Sequence, residues 1–163
     1  MCEQDVQVGR KAPDFRLREA SEKAFHLYGE LRQGPLLLLF FPNDFGVVCS
    51  LEMKEIQSML PSILSNGLRV VAVSRQSTYT HRQFKESLGL TFPVLADEEG
   101  EVSLRYAGLL DDGLLKGMTQ RAVYIVDREG IIRYCWISHE MSVPPPFDDL
   151  EEAIRDFANS RIE

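Results

Sequence analysis

One cysteine of this chain stands where a sulfur nucleophile is readily made. Cys49 closes the stretch Phe40-Phe41-Pro42-Asn43-Asp44-Phe45-Gly46-Val47-Val48-Cys49, which leaves an apolar run and enters an amphipathic helical pattern. A side chain in or near the first turn of a helix faces free backbone N–H groups and the positive end of the helix dipole, and both favour an anion. The placement predicts a thiol pKa below the free value of about 8.5, and so a sulfur that is nucleophilic at neutral pH. A free cysteine is more commonly a buried, inert small hydrophobe. The elements around Cys49 must therefore carry the chemical reading.

Those elements alternate between strand and helix. Pro35 to Phe41 reads as a buried strand, and Val47 to about Leu64 as a helix with Met53, Ile56, Gln57, Leu60 and Leu64 at helical spacing. Asn66-Gly67 supplies a C-cap, and Leu68 to Ser74 is a second buried strand, reached by a right-handed parallel crossover. Thr78 or Thr80 is placed to cap a helix that runs to Leu88 and stops at Gly89; Phe92 to Leu95 follows as a short strand. Ala122 to Val126 and Ile131 to Trp136 flank the turn Asp127-Arg128-Glu129-Gly130 and predict an antiparallel hairpin. A shorter hairpin pairs Phe15 and Leu17 with Phe25 and Leu27 as an N-terminal edge extension, and Phe147 to Ile162 reads as a terminal helix behind Pro144-Pro145-Pro146. The class is α/β: a mixed central sheet flanked by helices.

Composition removes several functions. At 163 residues the chain suits one domain, 1–163, and with 44 % hydrophobic and 26 % charged residues it has the balance of a globular protein. A net charge of -7 argues against a sequence-independent grip on nucleic acid. The longest apolar run, Leu36 to Phe41, is far below the roughly 20 residues of a membrane span. Met1-Cys2-Glu3-Gln4-Asp5 has neither a basic nor an apolar signal region, so the expected location is cytoplasmic. Cys2, Cys49 and Cys135 are too few for a disulfide framework and suggest reactive or buried thiols. His26, His81 and His139 are scattered without ligand-like spacing, and no metal is implied.

The segment Pro42 to Cys49 resembles the active-site loop of the peroxiredoxins: a proline, three residues, Thr or Ser, two residues, cysteine. The similarity runs from about Val8 to Ile154 and includes the opening Val8-Gly9-Arg10-Lys11-Ala12-Pro13-Asp14-Phe15, Glu52 three residues after the cysteine, and Arg121 leading the strand Ala122 to Val126. It implies a thioredoxin-like fold and a thiol-dependent peroxidase that reduces hydrogen peroxide or alkyl hydroperoxides, with Cys49 passing through a sulfenic acid. Arg121 would hold the thiolate and the peroxide oxygen with its planar fork of donors, although an arginine at a strand start is ordinarily solvated. Pro42 would shape the loop and shield the sulfur, or simply end the strand. Glu52 would orient Arg121, or serve as an ordinary acidic residue in a first helical turn. No selenium, haem, flavin or metal cofactor is implied. An external thiol or a thioredoxin-like protein is the expected reductant, and homodimerisation is a family expectation.

One position departs from the pattern. Gly46 stands where the family has Thr or Ser, so a hydroxyl is missing. A lost oxyanion-type hydrogen bond costs about 2.7–4 kcal/mol, or roughly 10²–10³ in rate. Glycine also reaches φ > 0 without penalty, which predicts a looser loop. Asn43 and Asp44 are the nearest candidates for a compensating polar atom. The position five residues after Cys49, used by one subgroup for a resolving cysteine, is Lys54. Cys135, on a strand, reads as structural, and Cys2 lies near the terminus; neither is a firm resolving cysteine, so a one-cysteine cycle is expected. The alternative is a redox-sensing or binding protein on the same scaffold, with turnover lost through Gly46. A thioredoxin-like disulfide reductase would need a C-x-x-C pair, and Gly46 occupies that place.

Overall fold

The computed structural model describes residues 6–138, 140 and 142–160. Its centre is a seven-stranded mixed sheet, and each strand follows from local sequence. The strands are β1 (Arg16–Glu19), β2 (Ala24–His26), β3 (Leu36–Phe40), β4 (Arg69–Ser74), β5 (Val94–Ala96), β6 (Ala122–Val126) and β7 (Ile132–Ile137). They lie in the order β2-β1-β5-β4-β3-β6-β7. The β3/β4 and β4/β5 pairs are parallel, while β1/β2, β1/β5, β3/β6 and β6/β7 are antiparallel. The β1/β2 hairpin is the edge extension expected from the alternation of Phe15, Leu17 and Phe25.

Strand β3 is central, and all five of its residues are buried. A strand covered on both faces has no reason to alternate polar and apolar residues, which is why Leu36 to Phe40 reads as one apolar run. Successive side chains still point to opposite faces. Leu37 and Leu39 enter a layer with Met53 and Ile56 of α2 (Val47–Ser65), Phe84 of α3 (Thr78–Leu88) and Leu150 and Ile154 of α5 (Phe147–Ser160). Leu36, Leu38 and Phe40 enter a second layer with Leu27 and Leu31 of α1 (Leu27–Leu31) and Tyr106 of α4 (Glu101–Tyr106).

Several local expectations are corrected. Leu27 does not extend the first hairpin; it opens α1, and neither α1 nor α4 is long enough to display a helical period. The buried face of α2 runs through Cys49, Glu52, Met53, Ile56, Met59 and Ile63, so Leu64 is exposed and Gln57 sits at the margin, bonded to Thr91. A polar Glu52 inside the apolar stripe concealed the true phase. Ser77, not Thr78 or Thr80, caps α3: its hydroxyl accepts from the Thr80 N–H at 3.2 Å. The fifth strand is shifted to Val94–Ala96 because the parallel ladder with β4 begins at Ala72–Val94. Asn66 and Gly67 close α2 as expected, with Gly67 at φ 86°.

Among the described residues no helix is long and apolar enough to cross a membrane. Nor do they hold a group of three or more His, Cys, Asp and Glu side chains placed for a metal ion.

Candidate active site

The ladder between β3 and β6 assembles the site. Its register pairs Phe40, the last residue of β3, with Ala122, the first of β6. Antiparallel pairing thus puts Arg121, one residue ahead of β6, at the end of the sheet where the chain leaves β3 and turns into α2. A sequence separation of 72 residues closes to a contact: Arg121 Nη1 donates to Cys49 Sγ at 3.3 Å. The same nitrogen donates to Glu52 Oε1 at 2.5 Å. Cys49 is the third residue of α2 and Glu52 the sixth, one turn apart on the buried face. The three side chains are 3 %, 0 % and 1 % exposed for Cys49, Glu52 and Arg121, so the guanidinium bridges thiol and carboxylate out of water. Glu52 Oε2 has no hydrogen-bond partner among the described residues.

The thiol is subject to opposing influences. Burial pushes its pKa up, and this is the largest effect; the charge and hydrogen bond of Arg121 and a backbone hydrogen bond from Asn43 pull it down, and Glu52 adds a smaller upward push. The balance leaves Cys49 above the ordinary thiol value, against the expectation from helix placement alone. Chain folding buries the sulfur more deeply than a first-turn position requires. Glu52 shows the same effect: complete burial pushes it up to about 7 while Arg121 draws it back. Arg121 is itself raised, since two acidic groups face it and outweigh the cost of burial.

Pro42 is buried directly after Phe41, at the exit of β3. Gly46 is the N-cap residue of α2 at φ -68° and ψ 148°, and it makes no side-chain cap. That conformation is open to any residue, so the expected looseness at φ > 0 is corrected: the left-handed residue of the loop is Phe45, at φ 64°. A Cβ added at Gly46 would lie 3.4 Å from the Asn43 carbonyl oxygen and 3.8 Å from Cys49 Sγ. A hydroxyl side chain would thus reach the sulfur without displacing the backbone.

Lys54 is exposed on α2. Cys135 is half-buried against the second core layer, as its alternation on β7 suggests, but it is disulfide-bonded and not a free thiol. Cys49 is the free cysteine of the described residues. Cys2 and His139 lie outside those residues.

Asn43 and Asp44 stood out in the sequence as candidates for a compensating polar atom, but the side chains that surround them, His81 and Gln76, did not. Asp44 is buried, with Oδ2 2.6 Å from Nδ1 of a fully buried His81. Its N–H donates to Gln76 Oε1 at 2.7 Å, and Gln76 Nε2 donates to Asn43 Oδ1. The only sequence signal for this network was a set of polar residues, each unremarkable by itself, in two segments some 33 positions apart.

A free thiol held by a guanidinium at the first turn of a helix, on a sheet of this topology, defines a thiol-based oxidoreductase of the thioredoxin-like class. The chain belongs to the AhpC/TSA family, the peroxiredoxins, whose family model matches residues 8–135. With the family comes its class of activity, thiol-dependent reduction of peroxides. Alkyl hydroperoxide reductase E of Mycobacterium tuberculosis (strain ATCC 25618 / H37Rv) is 34 % identical over 131 residues, 79 % of this chain and 84 % of that one. A putative peroxiredoxin bcp of Coxiella burnetii is 27 % identical over 135 residues, 80 % of this chain and 88 % of that one. The crystal structure of Enterococcus faecalis AhpC superposes with a TM-score of 0.82 at 24 % identity, covering 97 % of each chain, which shows the shared fold.

Proposed function

We propose that Cys49 is the peroxidatic nucleophile of a one-cysteine cycle acting on hydrogen peroxide or a small alkyl hydroperoxide. The observation that carries this reading is the bridge from one guanidinium nitrogen to both Cys49 Sγ and Glu52 Oε1. The thiolate attacks one peroxide oxygen, the O–O bond breaks, and the other oxygen leaves with the bonding pair and takes up a proton as water or alcohol. Sulfur is oxidised by two electrons to a sulfenic acid, and the peroxide is reduced by two. A first external thiol condenses with the sulfenic acid, releasing water and forming a mixed disulfide; a second thiol displaces the Cys49 thiolate. Arg121 stabilises negative charge on sulfur and on the departing oxygen, Glu52 holds the guanidinium in place, and Pro42 shields the sulfur.

A thioredoxin-like protein or a small dithiol supplies the electrons, one domain spanning 1–163 houses the reaction, and the active form is a cytoplasmic homodimer. Support for the one-cysteine cycle comes from Lys54 at the on-helix resolving position and from the disulfide-bonded state of Cys135. The test is peroxide consumption with a dithiol reductant. Cys49→Ser is expected to lose activity by roughly 10⁴-fold or more, the scale on which removal of a nucleophile acts. A dimedone-type reagent should label Cys49 after one equivalent of peroxide. Unchanged consumption in Cys49→Ser, or labelling elsewhere, overturns the assignment.

A further inference from the structure

Three consecutive residues of the catalytic loop are each held by a residue of one other segment, the turn after β4 and the helix α3. Asn43 Oδ1 accepts from Gln76 Nε2, and the Asp44 N–H donates to Gln76 Oε1 at 2.7 Å. Asp44 Oδ2 accepts from His81 Nδ1 at 2.6 Å, with both side chains fully buried. The Phe45 ring packs edge-on against Phe84 at 5.3 Å, and Phe84 stacks on Phe41 at 5.6 Å. His81 and Phe84 are the buried residues of α3 and lie three positions apart, so a single face of the helix meets the loop. Gln76 is tied back to β4 by the Ser74 hydroxyl at 3.2 Å, and His81 Nε2 lies 3.4 Å from the Ser74 carbonyl oxygen.

The loop needs such a hold. Phe45 sits at φ 64°, a region a non-glycine residue enters only under strain and keeps only where its surroundings over-determine it. Among the described residues the buried Asp44 Oδ1 has no hydrogen-bond partner, so burial of this carboxylate leans on the His81 contact. Directly upstream, the Asn43 backbone hydrogen bond reaches Cys49 and favours its thiolate. One of the three clamped residues, Asn43, is therefore the one whose backbone donor faces the sulfur.

We propose that His81 and Gln76 are positioning residues for Cys49: through Asp44 and Asn43 they hold the strained loop so that the Asn43 N–H stays on the sulfur. Neither touches the thiol or the peroxide. The proposal rests on Cys49 as the reactive thiol, and its test is read first without peroxide, so the two can fail separately.

The measurement is the pH profile of Cys49 alkylation by iodoacetamide in the full chain, with thermal unfolding alongside, for His81→Leu, His81→Asn, Gln76→Ala and the remote control Gln57→Ala. His81→Leu and Gln76→Ala should move the alkylation midpoint upward by about one pH unit, a tenfold smaller thiolate fraction at neutral pH, and slow peroxide oxidation of Cys49 by a similar factor. His81→Asn places an amide donor near the position of Nδ1 and should restore most of the wild-type profile. Gln57→Ala, which loses its contacts with Thr91, should change the unfolding temperature and leave the midpoint in place. Should His81→Leu fail to fold, the half-buried Gln76→Ala decides: a moved midpoint supports the clamp, an unmoved one overturns it. A His81→Asn midpoint displaced as far as that of His81→Leu also overturns it, as does a loss of thermal stability with wild-type alkylation in every variant.

Discussion

The two ends of the β3/β6 ladder carry two aspartate-centred loops that solve the same geometric problem differently. At one end, Asp127 closes the β6/β7 turn. Its Oδ1 accepts from the N–H groups of Glu129 and Ile131, both at 2.9 Å, and its Oδ2 accepts from Arg133 Nε at 2.7 Å. The left-handed position is taken by Gly130 at φ 86°. At the other end, Asp44 draws its side-chain partner from His81, 37 residues away; its other oxygen has no partner among the described residues, and the left-handed residue is a phenylalanine. The first loop satisfies itself within six residues. The second would not hold its shape alone, and it is the one beside the thiol. A turn that only reverses the chain is stabilised locally, whereas the loop that positions a donor on sulfur stores strain that distant packing has to offset.

Changes at the end that holds Cys49 should act on peroxide reactivity, and changes at the other end on stability alone. Arg121→Leu should have the largest effect. It leaves Glu52 buried without its cation, a loss of about 3–5 kcal/mol in denaturant unfolding. It should also lower the rate constant for Cys49 oxidation by roughly 10²–10³, as expected for a lost oxyanion donor. A stopped-flow rate near wild type would place the thiolate-stabilising charge elsewhere.

Gly46→Thr should come next and act in the opposite direction. The backbone at φ -68° accepts a Cβ, and 3.8 Å from that Cβ to Cys49 Sγ puts a hydroxyl within reach of sulfur and peroxide. Peroxide oxidation of Cys49 should rise by about tenfold, a fraction of the full oxyanion-hole increment. An unchanged rate would show that the Asn43 donor already fills that place.

Gly130→Ala tests the opposite end of the ladder. Its Cβ would stand 2.5 Å from the Tyr28 hydroxyl oxygen, at a φ an alanine resists. A stability loss of about 1–3 kcal/mol is expected, with the peroxide rate per folded molecule unchanged. A fall in rate would mean that the two ends of the ladder are coupled.

The smallest effect concerns pH. Glu52 lies near 7 in the folded chain and at 4.5 in the free state, so the folded form binds the proton more tightly. The associated stability is fully present below 4.5 and is lost as pH rises through 7. Unfolding midpoints should therefore decline across that window in the wild type and decline less in Glu52→Gln. Parallel curves for the two proteins would show that Glu52 is ionised throughout, held by Arg121.

The strands and long helices were legible because each repeats its own signal. Leu36 to Phe40 had to be a central strand, Asn66-Gly67 had to end a helix, and the alternation of Tyr134, Cys135 and Trp136 divided β7 between the two core layers. The short helices α1 and α4 carried no readable period. Glu52, an acid on the buried face of α2, hid the phase of that face because its reason for burial lay 69 residues away in Arg121.

By itself the sequence determined that a cysteine stands at the start of a helix behind an apolar strand, that Pro42 precedes it by seven residues with Gly46 between them, and that strands and helices alternate, all of which are properties of neighbouring residues. Only the tertiary structure decided that Arg121 touches both Cys49 and Glu52, that burial opposes the thiolate favoured by the helix, that Phe45 and not Gly46 carries the left-handed backbone, and that His81 and Gln76 hold the loop. Each of these depends on ladder register or helix packing, which bring together residues whose spacing along the chain holds no trace of the contact.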